Sequence, residues 1–207
     1  MPLIRRTPEP PAGGPAAPVD PFEGLKSPSP EARWAAARAM VGDSGGPAAL
    51  VDALADEADP RVREAIFTGL ARAGTSAAIE ALLTHLRSDE ASLRTGALDA
   101  LRAAPAVARP HLPALLRDPD PDVRLLACEI VRELSSEDAT ALLCELLERE
   151  SQVNVCAAAV EVIAEIGSLE ALEVLSRCAG RFTDEPFLVF SIKVARERIG
   201  VSARGPD

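Results

Sequence analysis

Apolar residues recur at helical spacing along most of this chain, in pairs of short amphipathic segments. Segment 136–149 shows the pattern most clearly, with apolar side chains at i, i+3, i+4, i+7 and i+8. Residues 76–87 repeat it, with Ile79, Leu82, Leu83 and Leu86 on one face. No segment alternates apolar and polar residues over a length that predicts a strand. The pattern therefore predicts an all-α protein.

The predicted helices come in five pairs and end with a single helix. Their predicted ranges are 30–41 and 47–57, 60–73 and 76–87, 91–103 and 106–117, 121–134 and 137–149, 152–166 and 169–179, and 186–199. Pro30 and Pro186 fall at first helical positions, where the missing N–H costs nothing. Pro110 and Pro113 predict that the second helix of the third pair is short or kinked.

The helix pairs belong to a repeat of about 30 residues. An arginine recurs near the start of each first helix, at Arg33, Arg63, Arg94 and Arg124, and the fifth unit carries Cys156 in that position. One such unit cannot bury its own apolar face and must stack on a neighbour. The predicted fold is a right-handed α–α superhelix, a solenoid of five helix pairs with a C-terminal capping helix.

The openings of the units resemble a known repeat family. Asp-Pro-x-Val-Arg is complete at Asp59–Arg63 and Asp120–Arg124, and a leucine-rich helix, a turn and a second leucine-rich helix follow. These units resemble HEAT-like repeats, in particular the short variety first associated with phycobilin lyases, over about residues 25–180. The resemblance implies the solenoid architecture and names no activity.

In this interpretation the four repeated arginines form a structural ladder. A guanidinium near the start of each first helix can donate to carboxylates and carbonyls of the adjoining inter-unit turn. We expect Asp59, Asp89 and Asp120 to be the partners of these arginines. Cys156 interrupts the ladder, so different contacts are expected where units four and five meet.

The two ends of the chain differ in composition from the repeats. Residues 1–21 hold seven prolines and few large aliphatic residues, which predicts a disordered proline-rich tail. The repeat domain is expected over 22–200, followed by a second disordered tail over 201–207. Phe187 and Phe190 are expected to pack with Val194 on unit five as part of the cap. The alternative is that these phenylalanines form an exposed docking patch.

The net charge of −10 is concentrated in the second half of the chain. Residues 118–175 carry 14 acidic and 3 basic side chains. Such a field disfavours nucleic acid and anionic membranes and favours a basic partner. The alternative is that the charge serves solubility alone.

The cysteine pattern and the chain's first residues bear on location. The four cysteines lack the short paired spacing of a zinc site and lie within predicted helices, which indicates free thiols in a reducing compartment. The first residues contain no apolar segment typical of a secretory signal. We therefore expect a cytoplasmic protein, and 20 arginines against two lysines suggest a bacterial, GC-rich source.

No catalytic motif is recognisable, so binding is the predicted activity. The second helices of a repeat array are expected to line its concave face, where repeat proteins commonly bind. Their predicted outward side chains are Asp52, Asp56, Thr84, Arg87, His111, Arg117, Glu145, Glu148, Glu173 and Arg177. Glu145, Glu148 and Glu173 are expected to make the acidic half of this face a negative groove that attracts a basic partner. The full set, called the second-helix surface below, predicts a non-catalytic scaffold or adaptor for another protein, with no cofactor or metal. The alternatives are a bilin-lyase-like or chaperone-like accessory factor for a cofactor-bearing protein, and a structural subunit of a larger assembly.

Overall fold

The computed structural model describes residues 20–202, and within them every regular element is helical. The helices are α1 Pro21–Gly24, α2 Pro30–Ala39, α3 Gly46–Asp56, α4 Pro60–Ala73, α5 Ser76–His85, α6 Ala91–Arg102, α7 Pro105–Ala108, α8 Leu112–Leu115, α9 Pro121–Val131, α10 Ser136–Arg149, α11 Val153–Ile166, α12 Ala171–Arg181 and α13 Pro186–Ser202. A 3-10 turn, Arg109–His111, joins α7 to α8. The predicted tails lie outside the described residues, apart from residues 20–21 and 201–202.

Local sequence signals set the helix ends. Asp59 and Asp120 accept hydrogen bonds from backbone N–H groups in the first turns of α4 and α9, and a proline follows each of them. Gly74 ends α4 in the left-handed conformation, with φ of 59°, which favours glycine. Thr75 then caps α5. These signals explain why the predicted and observed helix boundaries agree closely.

The first helices of successive units stack on one another, and the second helices form an adjoining layer. In chain order, α2, α4, α6, α9, α11 and α13 each contact the next, while α3 packs on α5 and α10 on α12. One continuous core runs between the layers and consists mainly of Ala, Leu, Val and Ile. The predicted all-helical solenoid is therefore confirmed.

The third unit departs from a regular helix pair, as its prolines predict. Its second helix is divided into α7, the 3-10 turn and α8. Pro110 lies inside the 3-10 turn and Pro113 lies in α8. Neither proline has a backbone N–H for a helical hydrogen bond, so a continuous helix is disfavoured here.

The packing of the last helix differs from the sequence expectation. Phe187 and Phe190 are 87% and 64% exposed, so the prediction that they pack on unit five was wrong. The buried face of α13 consists of Leu188, Ile192, Ala195 and Ile199, and it packs against α11. The spacing of these four residues is as helical as that of the phenylalanines, and the larger apolar side chains misled the sequence interpretation.

Candidate functional site

The second-helix surface exists as a face of the molecule. Nine of its ten predicted residues are exposed, and His111 is half-buried. The helices that carry them are α3, α5, α10 and α12, together with the broken second helix of unit three. The alignment of apolar stripes in the sequence was sufficient to place these side chains on the outside.

Ion pairs between units cross this surface. Arg87 pairs with Asp118, and Arg117 pairs with Glu145 of the following unit. Arg177 pairs with Glu148 of the preceding unit and with Glu173 one turn away in α12. These pairs are mostly exposed, so each contributes little to folding.

The carboxylates of the acidic half are thus balanced by arginines on the second-helix surface. Glu145 has Arg117 and Arg149 as partners, and a hydrogen bond from Arg177 holds the pKa of Glu148 below its usual value. This differs from the negative groove that the sequence predicts. The physical reason is that arginines one unit away along the chain, or one helical turn away, come into contact with these glutamates on folding.

Part of the negative charge of residues 118–175 lies on the first helices and not on the second-helix surface. Glu129, Glu161 and Glu165 surround Arg132 on α9 and α11. A linear count of charges over 118–175 cannot separate the two layers, which explains why the sequence placed this charge on the second-helix surface.

At the other end of the second-helix surface lies a cavity of about 560 Å³, called the unit-one cavity here. Its charged lining consists of Asp52 and Asp56 of α3, Lys26, and the mutually paired Arg33 and Glu57. Its apolar side chains are Phe22, Leu25, Ala49, Ala53 and Ala58. Within residues 20–202, neither Asp52 nor Asp56 has an ion-pair partner. This cavity therefore combines unpaired carboxylates with an apolar wall.

The ladder arginines all contact the turn that precedes their own unit. Each donates to the backbone carbonyl six residues earlier, and the thiol of Cys156 occupies the equivalent place. The contacts are Arg33 to Ser27 O at 2.9 Å, Arg63 to Glu57 O at 2.5 Å, Arg94 to Ser88 O at 2.6 Å, Arg124 to Asp118 O at 2.7 Å and Cys156 Sγ to Glu150 O at 3.8 Å.

Three of the four arginines also bind a carboxylate of the next turn. Arg33 donates to both oxygens of Glu57, at 2.7 and 2.9 Å, and Arg124 to both oxygens of Glu150, at 2.6 and 3.1 Å. Arg63 pairs with Glu90.

The expected aspartate partners of the ladder were wrong. The carboxylates of Asp59 and Asp120 are occupied as helix caps. Asp89 pairs with no arginine among the described residues. Aspartate was the reasonable choice from sequence because it precedes the arginine by four or five residues in units two to four, but the short side chains of Asp59 and Asp120 are used by the local backbone.

Glu57, Asp118 and Glu150 are the residues that sequence reasoning missed. All three are buried, and each lies six residues before the arginine or cysteine of its unit. Each also accepts a hydrogen bond from the backbone N–H two residues later, at 2.8, 3.0 and 2.8 Å respectively. Their constant spacing of six residues from the arginine or cysteine was the feature of the sequence that could have identified them.

Two of these carboxylates are held ionised by their arginines. A hydrogen bond from Arg33 lowers the pKa of Glu57. Burial alone would raise the pKa of Glu150, but the hydrogen bonds from Arg124 and the backbone outweigh it and lower that pKa overall. The turns that contain Glu57 and Glu150 therefore join neighbouring units through charged hydrogen bonds that are partly shielded from solvent.

A wider groove lies on the opposite layer, between α4 and α6. Its volume is about 810 Å³, and small residues such as Ala71, Ala100 and Ala103 line it. Gly96 lies at the contact between the two helices, because a Cβ there would lie 2.5 Å from the ring of Phe67. We call it the first-helix groove.

Within residues 20–202, no cluster of three or more His, Cys, Asp or Glu residues has the arrangement of a metal site. Over the same residues, no helix combines the length and the apolar character needed to cross a bilayer.

Paired helices stacked in two layers by a repeated inter-unit turn define the class of protein as an α-solenoid. A family model described as HEAT repeats matches residues 21–102 and 109–186, which is more than half of the chain. The protein therefore belongs to the HEAT-repeat family. The curated proteins include none that matches the chain.

Several solved structures are similar in fold. An engineered protein from a structural genomics programme shares 18% identity, with 87% of this chain and 95% of that chain covered and a TM-score of 0.45. A designed armadillo repeat protein in complex with the peptide (KR)4 shares 19%, with 86% and 98% covered and a TM-score of 0.43. The complex of CpcE and CpcF of phycocyanin lyase from a Nostoc species shares 18%, with 96% and 100% covered and a TM-score of 0.37. At these scores no function follows from the similarity.

Proposed function

We propose that this protein is a non-catalytic adaptor that binds a basic segment of another protein at the unit-one end of its second-helix surface. The observation that carries the proposal is the unit-one cavity, in which Asp52 and Asp56 have no ion-pair partner within residues 20–202. The carboxylates at the other end of the surface are paired with arginines. A cationic partner therefore gains the most favourable electrostatic interaction at unit one.

The lining of the cavity suits the side chains of lysine and arginine. Their charged ends fit Asp52 and Asp56, and their aliphatic stems fit an apolar wall such as that of Leu25 and Ala53. An anionic ligand would meet the carboxylates of Asp52 and Asp56, whereas the two cations of the lining already have partners in Glu23 and Glu57, so a basic polypeptide is the class of partner that this site favours.

Binding of a labelled (Lys-Arg)4 peptide, followed by fluorescence anisotropy, tests the proposal. We expect Asp52→Asn together with Asp56→Asn to weaken binding about tenfold, which corresponds to about 1.4 kcal/mol for two exposed charge contacts. The matched control removes the same charge from the other layer, with Glu161→Gln and Glu165→Gln, and should change affinity less than twofold. Raising the salt concentration should weaken binding of the wild-type protein.

Two results would contradict this proposal. One is equal loss of affinity in both double variants, which would indicate a general response to net charge. The other is equally tight binding of an acidic (Asp-Glu)4 peptide.

The bilin-lyase-like alternative rests on one observation, the apolar first-helix groove of about 810 Å³ with the exposed Arg72 at its edge. A titration with a free bilin, followed by visible absorption, separates it from the adaptor. The adaptor proposal predicts no saturable spectral change. A saturable red shift that Ala103→Leu abolishes would favour the alternative, because Ala103 is exposed in the groove and a larger side chain there occupies its space.

A further inference from the structure

The two ends of the solenoid are closed to different extents. At the C-terminal end, α13 has 17 residues and buries four apolar side chains against its neighbours. At the N-terminal end, α1 has four residues and unit one has no preceding unit on which to pack. The unit-one cavity lies beside α1, and Phe22 on its wall remains 37% exposed. A terminal unit of a solenoid needs a cover for such apolar surface, so within residues 20–202 the N-terminal end is incompletely covered.

Five charged side chains line the unit-one cavity, and they differ in whether they have partners. Lys26, Arg33 and Glu57 all take part in other ion pairs. Within residues 20–202, Asp52 and Asp56 take part in none. These two aspartates stand four residues apart on α3, so their carboxylates share one side of that helix. The cavity therefore fits a segment in which apolar side chains stand next to arginine or lysine.

The chain contains such a segment shortly before the described residues. Leu3-Ile4-Arg5-Arg6, called the basic segment below, sets two large aliphatic side chains beside two arginines. Arg5 and Arg6 are the cationic side chains of residues 1–19, and Glu9 is the carboxylate of that range. The basic segment thus complements both the apolar wall and the unpaired carboxylates of the cavity.

The linker between the basic segment and the repeats has a suitable length and composition. The chain enters the described structure at Asp20, two residues before Phe22 of the cavity wall. Arg6 lies seven residues before Gly13, and Asp20 lies six residues after Gly14. Proline-rich sequence favours about 3.1 Å per residue, which corresponds to two arms of about 20 Å each. Because the arms are nearly equal and glycine permits a chain reversal between them, the basic segment can return to the cavity.

We propose that the basic segment occupies the unit-one cavity of its own chain and competes there with the basic partner. Its arginines pair with Asp52 and Asp56, and its aliphatic side chains cover the apolar wall beside Phe22. A short linker holds the segment near the cavity at an effective concentration on the order of 1 mM, so even weak docking keeps the cavity partly occupied. The competition rests on the proposed function, whereas the docking can be measured without any partner.

A zero-length cross-link in the full-length protein tests the docking directly. A carbodiimide joins an amine to a carboxylate only where the two are in contact, and the chain has two lysines. Arg5→Lys and, separately, Arg6→Lys each add one amine and keep the charge of the segment. We expect mass spectrometry of the digested protein to show the new amine linked to Asp52 or Asp56. In an equal mixture of unlabelled and 15N-labelled protein, each linked pair should carry one isotope only.

Three results would overturn the docking. The first is that neither Arg5→Lys nor Arg6→Lys produces a link to the cavity. The second is a link only between labelled and unlabelled chains, which would place the segment of a second copy in the cavity. The third is equal linking to Glu161 and Glu165, whose exposed carboxylates lie on the other layer, because this would indicate a general attraction between opposite charges.

Peptide binding to full-length variants measures the competition. Arg5→Ala with Arg6→Ala should lower the Kd of the labelled (Lys-Arg)4 peptide about threefold, because a partly occupied cavity raises the apparent Kd. The matched control is Arg196→Ala with Arg198→Ala, which removes the same charge from exposed positions of α13. Salt screens charges at that end of the solenoid, so the control should change the Kd less than about 1.5-fold. Equal tightening in both double variants would overturn the competition.

The two experiments distinguish this inference from the proposed function. Peptide binding that Asp52→Asn with Asp56→Asn weakens, without any cross-link from position 5 or 6, would overturn the docking and leave the proposed function standing. A cross-link to Asp52 or Asp56 without saturable peptide binding would contradict the proposed function and still support the docking. A cross-link together with tighter peptide binding in the Arg5→Ala, Arg6→Ala variant would support both.

Discussion

Replacing Arg124 with alanine is expected to lower the free energy of unfolding by about 3 kcal/mol. The Arg124 and Glu150 side chains are 14% and 4% exposed, so removal of the guanidinium leaves a buried carboxylate without its cation. It also removes the donor to the carbonyl oxygen of Asp118. The loss concerns two inter-unit turns at once, which is why a single side chain has so large an effect.

Urea unfolding followed by far-ultraviolet circular dichroism measures this change. Asp89→Ala is the matched control, because Asp89 is an exposed acidic residue beside a ladder position and pairs with no arginine within residues 20–202. It should change stability by less than about 0.5 kcal/mol. If Arg124→Ala and Asp89→Ala unfold at the same urea concentration, the arginine ladder does not stabilise the contact between neighbouring units.

Truncation after Gly180 is expected to have the second large effect, because it removes α13. That helix buries Leu188, Ile192, Ala195 and Ile199 against its neighbours, and without it the apolar side of α11 is open to water. Terminal units of a solenoid must cover this face to stay soluble. The truncated protein should bind a hydrophobic dye and sediment as aggregates.

Two variants separate the packing role of α13 from any contribution of the exposed phenylalanines. Ile192→Ala is expected to cost about 2–5 kcal/mol, as for other buried large-to-small changes. Phe187→Ser with Phe190→Ser should stay within about 0.5 kcal/mol of wild type, since both rings are largely exposed. A monomeric truncated protein with cooperative unfolding, or a strongly destabilised phenylalanine variant, would contradict this assignment of faces.

The sequence was informative wherever the chemistry is local. The helix starts at Pro30 and Pro186 and the break in unit three at Pro110 and Pro113 were predicted, because proline acts within one helical turn. The repeat of about 30 residues then predicted that successive helix pairs stack on one another. These features needed no knowledge of which side chains meet across units.

The candidate site depended on contacts that sequence does not show directly. Glu145 and Glu148 were recognised as exposed, but their pairing with Arg117 and Arg177 depends on the spatial offset between units. The buried glutamates Glu57 and Glu150 were missed because a charged residue is expected at the surface. Their burial is tolerated because each meets an arginine and backbone N–H groups together.

The most direct test of the adaptor proposal is amide hydrogen exchange of the full-length protein with and without the (Lys-Arg)4 peptide. Binding at the unit-one cavity should slow exchange in α3 and the following turn, around Asp52, Asp56 and Glu57, and leave α13 unchanged. Protection centred on α13, around Phe187 and Phe190, would contradict the account and place the binding site at the other end of the solenoid.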